Sequence, residues 1–483
     1  MTSLRKNYIL SFVTQTITVI CPLIVTPFVA RRLLADNIGI FSFTESVVFL
    51  FSLFALLGSQ THGQRETAYC QGDQRKQLQT FAEIFLASGI TTGIVLAGYI
   101  GYTLLQTKYQ LIYWIQVLEL IAFHWDIGWF YQGKEDFKCL LYRNLLVKMV
   151  YIISVFSFIR TPEDLPLYVF FRVGTFMIGG ATLLYPVFYQ CRKEKIRVSF
   201  SAVPYHIKKM LPLFIPQIAI QVYTVLDKTM IGVITQSPYQ NGCYEEAMKV
   251  IRVLMNFVGA AAGVLMPRIA LLHAAGNTQE ISQKLTMGIR FVCLITLPMI
   301  SGIIVAAPTF MPWFLGGGFD DTVILLQILG GLLLLIGISR VTAGCLLATQ
   351  KENIYTRNVT IGAAINFVLN LWLINHYQAL GATIASVAAE AAVTLLMLYN
   401  CRQYIRISHL CKNVILYFIC SAVLTAVLLV LEDHIFCSTL WYLIILTAAG
   451  VTVYGVGLLI IKDSLTLNIL KTLVNKLGAE NNS

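Results

Sequence analysis

The sequence has few charged residues. Of its 483 residues, 12% are charged and 57% are hydrophobic, whereas soluble globular proteins carry about 25% charged residues. The apolar residues stand in blocks that approach or exceed the roughly 20 residues that a membrane-spanning helix needs. A soluble enzyme and a nucleic-acid-binding protein are therefore excluded, and we expect a polytopic integral membrane protein.

Motifs that carry chemistry are also missing. The sequence has no phosphate-binding P-loop, no nucleophile motif, no paired catalytic carboxylates and no metal-binding box. Its 11 cysteines are scattered without a C-x-x-C pair, so we interpret them as small apolar residues rather than as a disulfide framework or a zinc site. We therefore expect a protein that is not an enzyme, holds no cofactor or metal and hydrolyses no ATP.

The apolar blocks predict an all-α fold with about 14 transmembrane helices. The first 12 are expected to form two six-helix lobes, at 1–190 and 210–400, joined by a basic cytoplasmic linker at 191–209. Two further helices and a cytoplasmic tail occupy 401–483. The predicted spans are 8–30, 38–57, 81–105, 110–131, 139–159, 165–189, 210–234, 244–266, 288–314, 322–347, 356–376, 380–400, 413–431 and 440–461.

Lysine and arginine are distributed unevenly between alternate loops. With a cytoplasmic N-terminus, the cytoplasmic segments hold 24 of these residues and the outer loops hold four. Because cytoplasmic loops are enriched in Lys and Arg, we predict a cell-membrane protein with both termini in the cytoplasm. Basic cytoplasmic loops that face anionic lipid account for the net charge of +11, so no nucleic-acid partner is needed to explain it.

The two predicted lobes are related by a shift of 203 residues along the sequence. The shift aligns Gly39 with Gly242 and Arg65 with Arg268, so equivalent residues fall at equivalent helix ends. A shift across six spans preserves the direction of each helix. It therefore predicts parallel repeats about an axis along the membrane normal.

Several strings occur along the chain in the order found in one family. They resemble bacterial polysaccharide flippases of the multidrug/oligosaccharidyl-lipid/polysaccharide exporter superfamily. One departure is Leu34, where the family usually has glycine. The strings are PLIVTPFVARRLLADNIGIFSFTESVV at 22–48, GSQTHGQRE at 58–66, LDKTMIG at 226–232, YEEAMKV at 244–250, VLMPRIA at 264–270, GGGFDD at 316–321 and GATIAS at 381–386.

The resemblance implies a flippase for polysaccharide biosynthesis that works by alternating access. Its substrate would be an undecaprenyl-pyrophosphate-linked oligosaccharide repeat unit, destined for O-antigen, capsule or exopolysaccharide. An ion gradient would drive the movement, with Na⁺ or H⁺ as the coupling ion. The expected partners are the lipid-linked oligosaccharide, membrane lipids, a polysaccharide polymerase and a chain-length regulator.

Two arginines at the end of the first span are candidates for binding the substrate. Arg31 and Arg32 follow Pro22 and Pro27, which interrupt helical hydrogen bonds and permit a bend. A bent helix could bring its basic end into a central cavity, where arginine binds pyrophosphate through forked hydrogen bonds. Alternatively, both side chains extend to lipid headgroups.

Four polar residues at helical spacing form a stripe on span 8. Glu245, Lys249, Arg252 and Asn256 are spaced i, i+4, i+7 and i+11, which places them on one helix face. We expect Lys249, Arg252 and Asn256 to line the substrate cavity. Glu245 and Lys249 have a second interpretation as a local ion pair.

Charged residues within the other spans are candidates for ion coupling or gating, because such groups are costly in a membrane. Asp227 and Lys228 form either a gate or a structural pair between helices. Glu119 and Asp126, seven residues apart on span 4, either carry the coupling ion or are neutralised by span 5. Partners on other helices are expected for the charges that stand alone on their own helices, namely Glu45, Arg172, Arg340 and Glu390.

Three alternatives remain open on the sequence. The first is a cation-coupled multidrug antiporter of the same superfamily, although the many arginines within the spans favour an anionic substrate. The second is a membrane glycan polymerase or glycosyltransferase, although the chain has no large catalytic loop. The third is a scaffold that transports nothing, although a scaffold has no need of charged groups in the membrane.

Overall fold

The computed structural model describes residues 2–405, 407–432, 434 and 438–467, and these residues form helices joined by short connections without any strand. Three short 3₁₀ helices cover Pro162–Asp164, Phe200–Ala202 and Arg402–Tyr404. The 15 α-helices are α1 (Thr2–Leu56), α2 (Ser59–Tyr69), α3 (Gln74–Leu105), α4 (Gln110–Trp125), α5 (Gly128–Gly133), α6 (Phe137–Phe158), α7 (Leu165–Lys193), α8 (Val203–Thr235), α9 (Pro238–Ala274), α10 (Thr278–Leu315), α11 (Thr322–Leu329), α12 (Gly331–Ala348), α13 (Glu352–Asn400), α14 (Ile407–Glu432) and α15 (Thr439–Ile460).

The all-α, polytopic fold predicted from the apolar blocks is confirmed. Twelve of the 14 predicted spans each fall on a single helix, span 4 is divided between α4 and α5, and span 10 is divided between α11 and α12. Nine helical segments of the described chain are long and apolar enough to cross a membrane. Regular helix is the expected result, because it satisfies every backbone hydrogen bond within the segment in lipid.

Two of the long helices each contain two predicted spans. The helix α1 bends at Leu34, whose φ is 63°, and α13 bends at Gln378, whose φ is 53°. Both residues occupy the left-handed region that glycine adopts without strain. At position 34, leucine therefore adopts the conformation for which the resembling family usually supplies glycine.

Span 4 differs from its predicted form. The sequence predicts one helix over 110–131, but α4 ends at Trp125 and the short helix α5 begins at Gly128. The side chain of Asp126 accepts a hydrogen bond from the backbone N–H of Gly128 at 3.3 Å. Asp126 therefore marks a break between two helices, and it does not continue the helix face that carries Glu119.

Packing divides the chain into two compact units. The first unit ends at Glu245 and includes Leu315–Gly318. Its described residues include an apolar core around Phe81 and Trp129 and another around Tyr99 and Tyr113. Lipid tails are as apolar as the side chains, so close packing rather than escape from water holds such helices together.

The second unit comprises Glu246–Phe314 and the described residues from Phe319 onward. Its core contains Ile289, Val341 and Leu446. The boundary between the units lies within α9, whereas the sequence predicts a lobe boundary at 191–209. That lobe assignment stays a prediction.

Candidate functional site

A row of alternating charges crosses four helices of the first unit. We call it the four-charge chain: Arg172 of α7, Glu45 of α1, Lys228 of α8 and Glu245 of α9. Glu45 pairs with the Arg172 guanidinium through Oε1, and its Oε2 lies 3.7 Å from the Lys228 Nζ. The same Nζ lies 3.1 Å from Oε2 of Glu245. Each inner member therefore contacts two groups of opposite charge.

The four-charge chain is buried at its Lys228–Glu245 end. The side chains of Lys228 and Glu245 are 8% and 6% exposed, while the outermost cation, Arg172, is 41% exposed. The Arg172 guanidinium also lies 4.9 Å from the ring centre of Phe41, a favourable cation–π arrangement. Burying such charges is costly even when they are paired, which makes this cluster a candidate functional site.

Hydrogen bonds fix the helices around the chain of charges. The Asn241 side chain donates to the carbonyl of Lys228 at 2.8 Å and accepts from the Ser42 hydroxyl at 3.4 Å. The Tyr244 hydroxyl donates to Asp227 at 2.7 Å. Polar groups on α1, α8 and α9 therefore satisfy one another away from water, as buried polar groups must.

Two glycines allow α1 and α9 to approach closely beside this cluster. A Cβ atom on Gly39 would lie 1.7 Å from the Pro238 carbonyl oxygen, and one on Gly242 would lie 2.1 Å from that of Ala35. Small residues at crossing points let backbones meet in this way. The two contacts are exchanged by the 203-residue shift found in the sequence, which maps Ala35 onto Pro238 and Gly39 onto Gly242.

A cavity of about 300 Å³ opens beside the same crossing. Its walls come from α1, from the connection between α3 and α4, and from the end of α8. Polar side chains at its lining include Gln106, Lys108, Gln236 and Asn241. Among the described residues Lys108 makes no ion pair, and it brings a positive charge to the lining of the cavity.

The structure gives Asp126 and Glu119 different surroundings. Asp126 pairs with Arg143 of α6 at 2.6 Å, so the predicted neutralisation by span 5 occurs at this residue. Glu119 is buried, and its Oε2 has no hydrogen-bond partner within the described part of the chain. Whether either residue carries a coupling ion stays a prediction.

The polar stripe on α9 lies on one continuous helix, but its predicted local pair does not form. Lys249 contacts Glu246 at 2.6 Å, and Glu245 contacts Lys228 instead. In the second unit, Arg252 is half-buried and Asn256 is exposed.

The two basic residues near the bend of α1 are both exposed. The aliphatic part of Arg31 lies against Gly316, where an added Cβ would be 2.9 Å from the arginine Cγ. The Arg32 guanidinium lies 5.7 Å from the ring centre of Phe28.

The charges that stand alone on their helices have partners on other helices, as predicted. The pairing of Glu45 with Arg172 is one example. In the second unit, the Ser339 hydroxyl donates to Glu390 at 2.7 Å, and Arg340 donates to a backbone carbonyl of α9 at 3.2 Å.

A family model described as "Polysaccharide biosynthesis protein" matches residues 4–273, which is more than half of the chain. The chain belongs to this family. The match confirms the resemblance that the ordered strings indicate, and it covers all four members of the four-charge chain.

Proteins similar to this chain include transporters. A candidate O-antigen transporter of Escherichia coli (strain K12) is 25% identical over 413 residues, which cover 83% of this chain and 97% of the relative. This family member also shares its fold with solved structures. The "Lipid II flippase MurJ, inward closed conformation" has a TM-score of 0.74 at 14% identity, covering 93% of this chain and 98% of that one.

A multidrug resistance transporter of the MATE family, in an inward-facing conformation, has a TM-score of 0.60 at 12% identity. This likeness covers 81% of the present chain and 96% of the MATE chain. The chain therefore has the fold of these two solved structures. Its family match and its relatives identify it as a multi-pass membrane transporter rather than an enzyme.

Sequence reasoning missed that four separate charges form one cluster. Glu45, Arg172 and Lys228 each lie about two helical turns from the predicted outer end of their spans, and Glu245 lies at the outer end of span 8. Comparing depths within the predicted topology would have grouped the first three. Helix neighbours, which a single sequence does not specify, were needed to identify the fourth.

Proposed function

We propose that this protein is a flippase that moves an undecaprenyl-pyrophosphate-linked oligosaccharide repeat unit across the cytoplasmic membrane. The observation that carries the proposal is the four-charge chain (Arg172, Glu45, Lys228 and Glu245), combined with the family match. Ionisable groups within membrane segments are rare and mark transport pathways and gates. A cluster of four charges, of which Lys228 and Glu245 are buried, is more than the packing of a static bundle requires.

The cluster supports alternating access because of where its members lie in the chain. Glu45 and Arg172 belong to the predicted first lobe, and Lys228 and Glu245 to the predicted second lobe. Opening between these lobes would separate Lys228 from Glu45. It would also separate α1 from α9 at the glycine crossing. In the predicted topology all of these contacts lie near the outer surface, so they would form the outer gate. Asp227 and Lys228 keep their predicted role in gating.

The substrate-binding residues follow from the charge of the substrate. A pyrophosphate is recognised by forked, charge-assisted hydrogen bonds from arginine. We propose Arg31 and Arg252 as its main contacts, with Arg32, Lys249 and Asn256 in supporting positions. The sugars would cross in a hydrated cavity while the lipid tail stays in the bilayer.

Energy would come from an ion gradient, since the sequence contains no nucleotide-binding motif. Na⁺ or H⁺ is the proposed coupling ion, with Glu119 and Asp126 as candidate carriers. The protein would lie in the cytoplasmic membrane with both termini in the cytoplasm. A polysaccharide polymerase and a chain-length regulator are the proposed partners, because they use the exported repeat unit.

The decisive experiment uses purified protein in liposomes with a fluorescent undecaprenyl-pyrophosphate oligosaccharide. Exposure of the label to an added glycosidase is followed with and without a sodium or proton gradient. Gradient-stimulated exposure supports the flippase and identifies the ion. Uptake of an organic cation without movement of any lipid-linked sugar would instead favour the multidrug antiporter.

Substitutions then test the cationic contacts. Arg31→Ala and Arg252→Ala are each expected to abolish export without reducing the amount of protein in the membrane. Arg160→Ala is the matched control, because Arg160 is also exposed and belongs to a predicted outer loop. Normal export by both test variants would overturn the cationic-cavity hypothesis.

A cross-link tests the gate. The Thr229 hydroxyl donates to the Ser46 hydroxyl at 2.8 Å, so cysteines at both positions would place two thiols within bonding reach. In a background without native cysteines, oxidation of the Ser46→Cys/Thr229→Cys variant should stop transport, and a reductant should restore it. The single Ser46→Cys variant is the control. Unchanged transport by the fully cross-linked protein would contradict the gate.

A further inference from the structure

Three titratable side chains form a buried row near the start of α8, at the opposite end of that helix from Lys228. We call this row the histidine relay: His62 of α2, His206 of α8 and Glu83 of α3. The His62 Nε2 lies 2.9 Å from the His206 Nδ1, and the His206 Nε2 lies 3.4 Å from Oε2 of Glu83. Both histidines are buried, at 3% and 4% exposed. None of the three residues belongs to the proposed substrate contacts or gate.

The relay leads from the protein surface to the interior. The Glu83 side chain is 14% exposed, and its Oε1 accepts a hydrogen bond from Gln79 at an exposed position. His206 follows Glu83, and His62 lies at the inner end. A proton from water can therefore enter beside Glu83 without a rearrangement of the backbone.

The geometry allows the relay to bind one additional proton. A hydrogen bond between two imidazole nitrogens uses one N–H, so one ring donates and the other accepts. In the tautomer in which the His206 Nδ1–H donates to His62, the Nε2 lone pair of His206 faces the Glu83 carboxylate. A proton added at this Nε2 creates a cation that donates to both neighbours. The bond to His62 persists, and no other proton has to move.

The surroundings of His62 disfavour a second proton there. Burial disfavours a charge on His62 most, and the positive charge of Lys209 of α8 adds to this effect. From α5, the Trp129 ring packs against Gly63, beside His62, and brings no charge. A cation at His62 would therefore be buried next to like charge, which is unfavourable.

The surroundings of His206 favour the proton. Glu83 supplies the opposite charge within hydrogen-bonding reach, and a partly buried pair of this kind stabilises the charged form. The Tyr205 ring centre lies 5.3 Å from that of His206, and a neutral phenol adds no opposing charge. Lys209 lies one turn beyond His206 on α8 and opposes a cation on either ring, so the contact with Glu83 is what places the single bound proton on His206.

We propose that the histidine relay is a proton-binding site that strengthens closure of this side of the protein. Protonation converts the 3.4 Å contact between His206 and Glu83 into an ion pair that ties α8 to α3. In the predicted topology α8 opens the second lobe, α3 belongs to the first, and this end is cytoplasmic. The effect on closure rests on the proposed function, whereas the binding of the proton does not.

The first test needs no transport. Full-length protein with labelled histidines in lipid nanodiscs is titrated by nuclear magnetic resonance between pH 5 and pH 8. We expect the His206 signal to titrate and the His62 signal to respond with the same midpoint. Glu83→Gln should lower that midpoint, because it removes the carboxylate that the added proton faces. His124→Gln is the matched control and should leave the midpoint of His206 unchanged. Like the relay histidines, His124 is well packed, and it contacts the Ser88 hydroxyl at 3.2 Å.

Separate midpoints for His62 and His206, or a midpoint that Glu83→Gln leaves unchanged, would overturn the proton site. The second test measures flipping in liposomes at pH 7.5 and pH 6 on the cytoplasmic side. Transport by the natural protein should slow at the lower pH, and His206→Gln should remove this difference. Coupled titration together with equal pH dependence in His206→Gln would keep the site and refute its effect on closure. Coupled titration without any flipping would refute only the proposed function.

Discussion

Replacing Lys228 by methionine would remove the cation shared by two carboxylates. Its Nζ lies 3.1 Å from Glu245 and 3.7 Å from Glu45, and both the lysine and Glu245 are buried. Removing one partner of a buried ion pair leaves the other charge uncompensated, at a cost of about 3–5 kcal/mol. We therefore expect Lys228→Met to lower the free energy of unfolding by about that amount.

Native cysteines provide the assay. Cys21 and Cys70 are buried as free thiols in the same compact unit as Lys228, so a thiol-reactive fluorophore reports their exposure as detergent-solubilised protein is heated. The double variant Lys228→Met/Glu245→Gln removes both charges and should recover most of the lost stability, because replacing a whole buried pair is often nearly neutral. Lys108→Met is the control, and its exposed position predicts a change within about 0.5 kcal/mol.

Stability and transport should respond differently in the double variant. The double variant should fold like the natural protein yet remain defective in flipping, because its gate has lost the pair between α8 and α9. If Lys228→Met unfolds at the same temperature as the natural protein, the lysine charge does not stabilise the buried carboxylates. If the double variant is no more stable than the single one, the uncompensated charge is not the cause of the loss.

Three further predictions concern other contacts. Gly39→Val should disrupt the crossing of α1 and α9, where no room exists for a Cβ, and should reduce folded protein in the membrane as measured by size-exclusion chromatography. Asp126→Asn should destabilise the protein in thermal unfolding by leaving Arg143 unpaired, and adding Arg143→Met should restore stability. Burial alone would raise the pKa of Asp463, but its hydrogen bonds with backbone and hydroxyl donors and the charge of Arg290 outweigh burial and hold the pKa below its usual value. Its stabilisation is therefore present above that usual value and is lost as the pH falls through the lowered pKa, so Asp463→Asn should weaken the acid dependence of thermal unfolding.

The sequence specified the helices well because membrane spans are a local property. Each span needs about 20 apolar residues, and 12 of the 14 predicted spans each lie on a single helix. The exception at Asp126 has a local cause, since its side chain bonds the backbone of Gly128 and ends the helix. Hydropathy does not register such a break, because the residues on both sides remain apolar.

The site was predicted less well because it depends on which helices are neighbours. Lys249 was expected to pair with Glu245 on the grounds of their spacing, yet each bonds a different residue. A four-residue spacing permits a pair on a helix surface but does not exclude a better partner on an adjacent helix. For Glu245 that partner is Lys228, which precedes it across the turn between α8 and α9.

Internal repetition is clearer in the contacts than in the letters of the sequence. The contact of Gly39 with Pro238 and that of Gly242 with Ala35 are exchanged by one shift of 203 residues. Reciprocal contacts of this kind are what a two-fold axis requires of the residues beside it. A left-handed residue that is not glycine precedes each crossing: Leu34, with φ 63°, and Gln236, with φ 51°. The shift places these two residues one position apart. Two segments with a bend at nearly the same position and with the same crossing support descent from one repeated unit, although few of their residues are still identical.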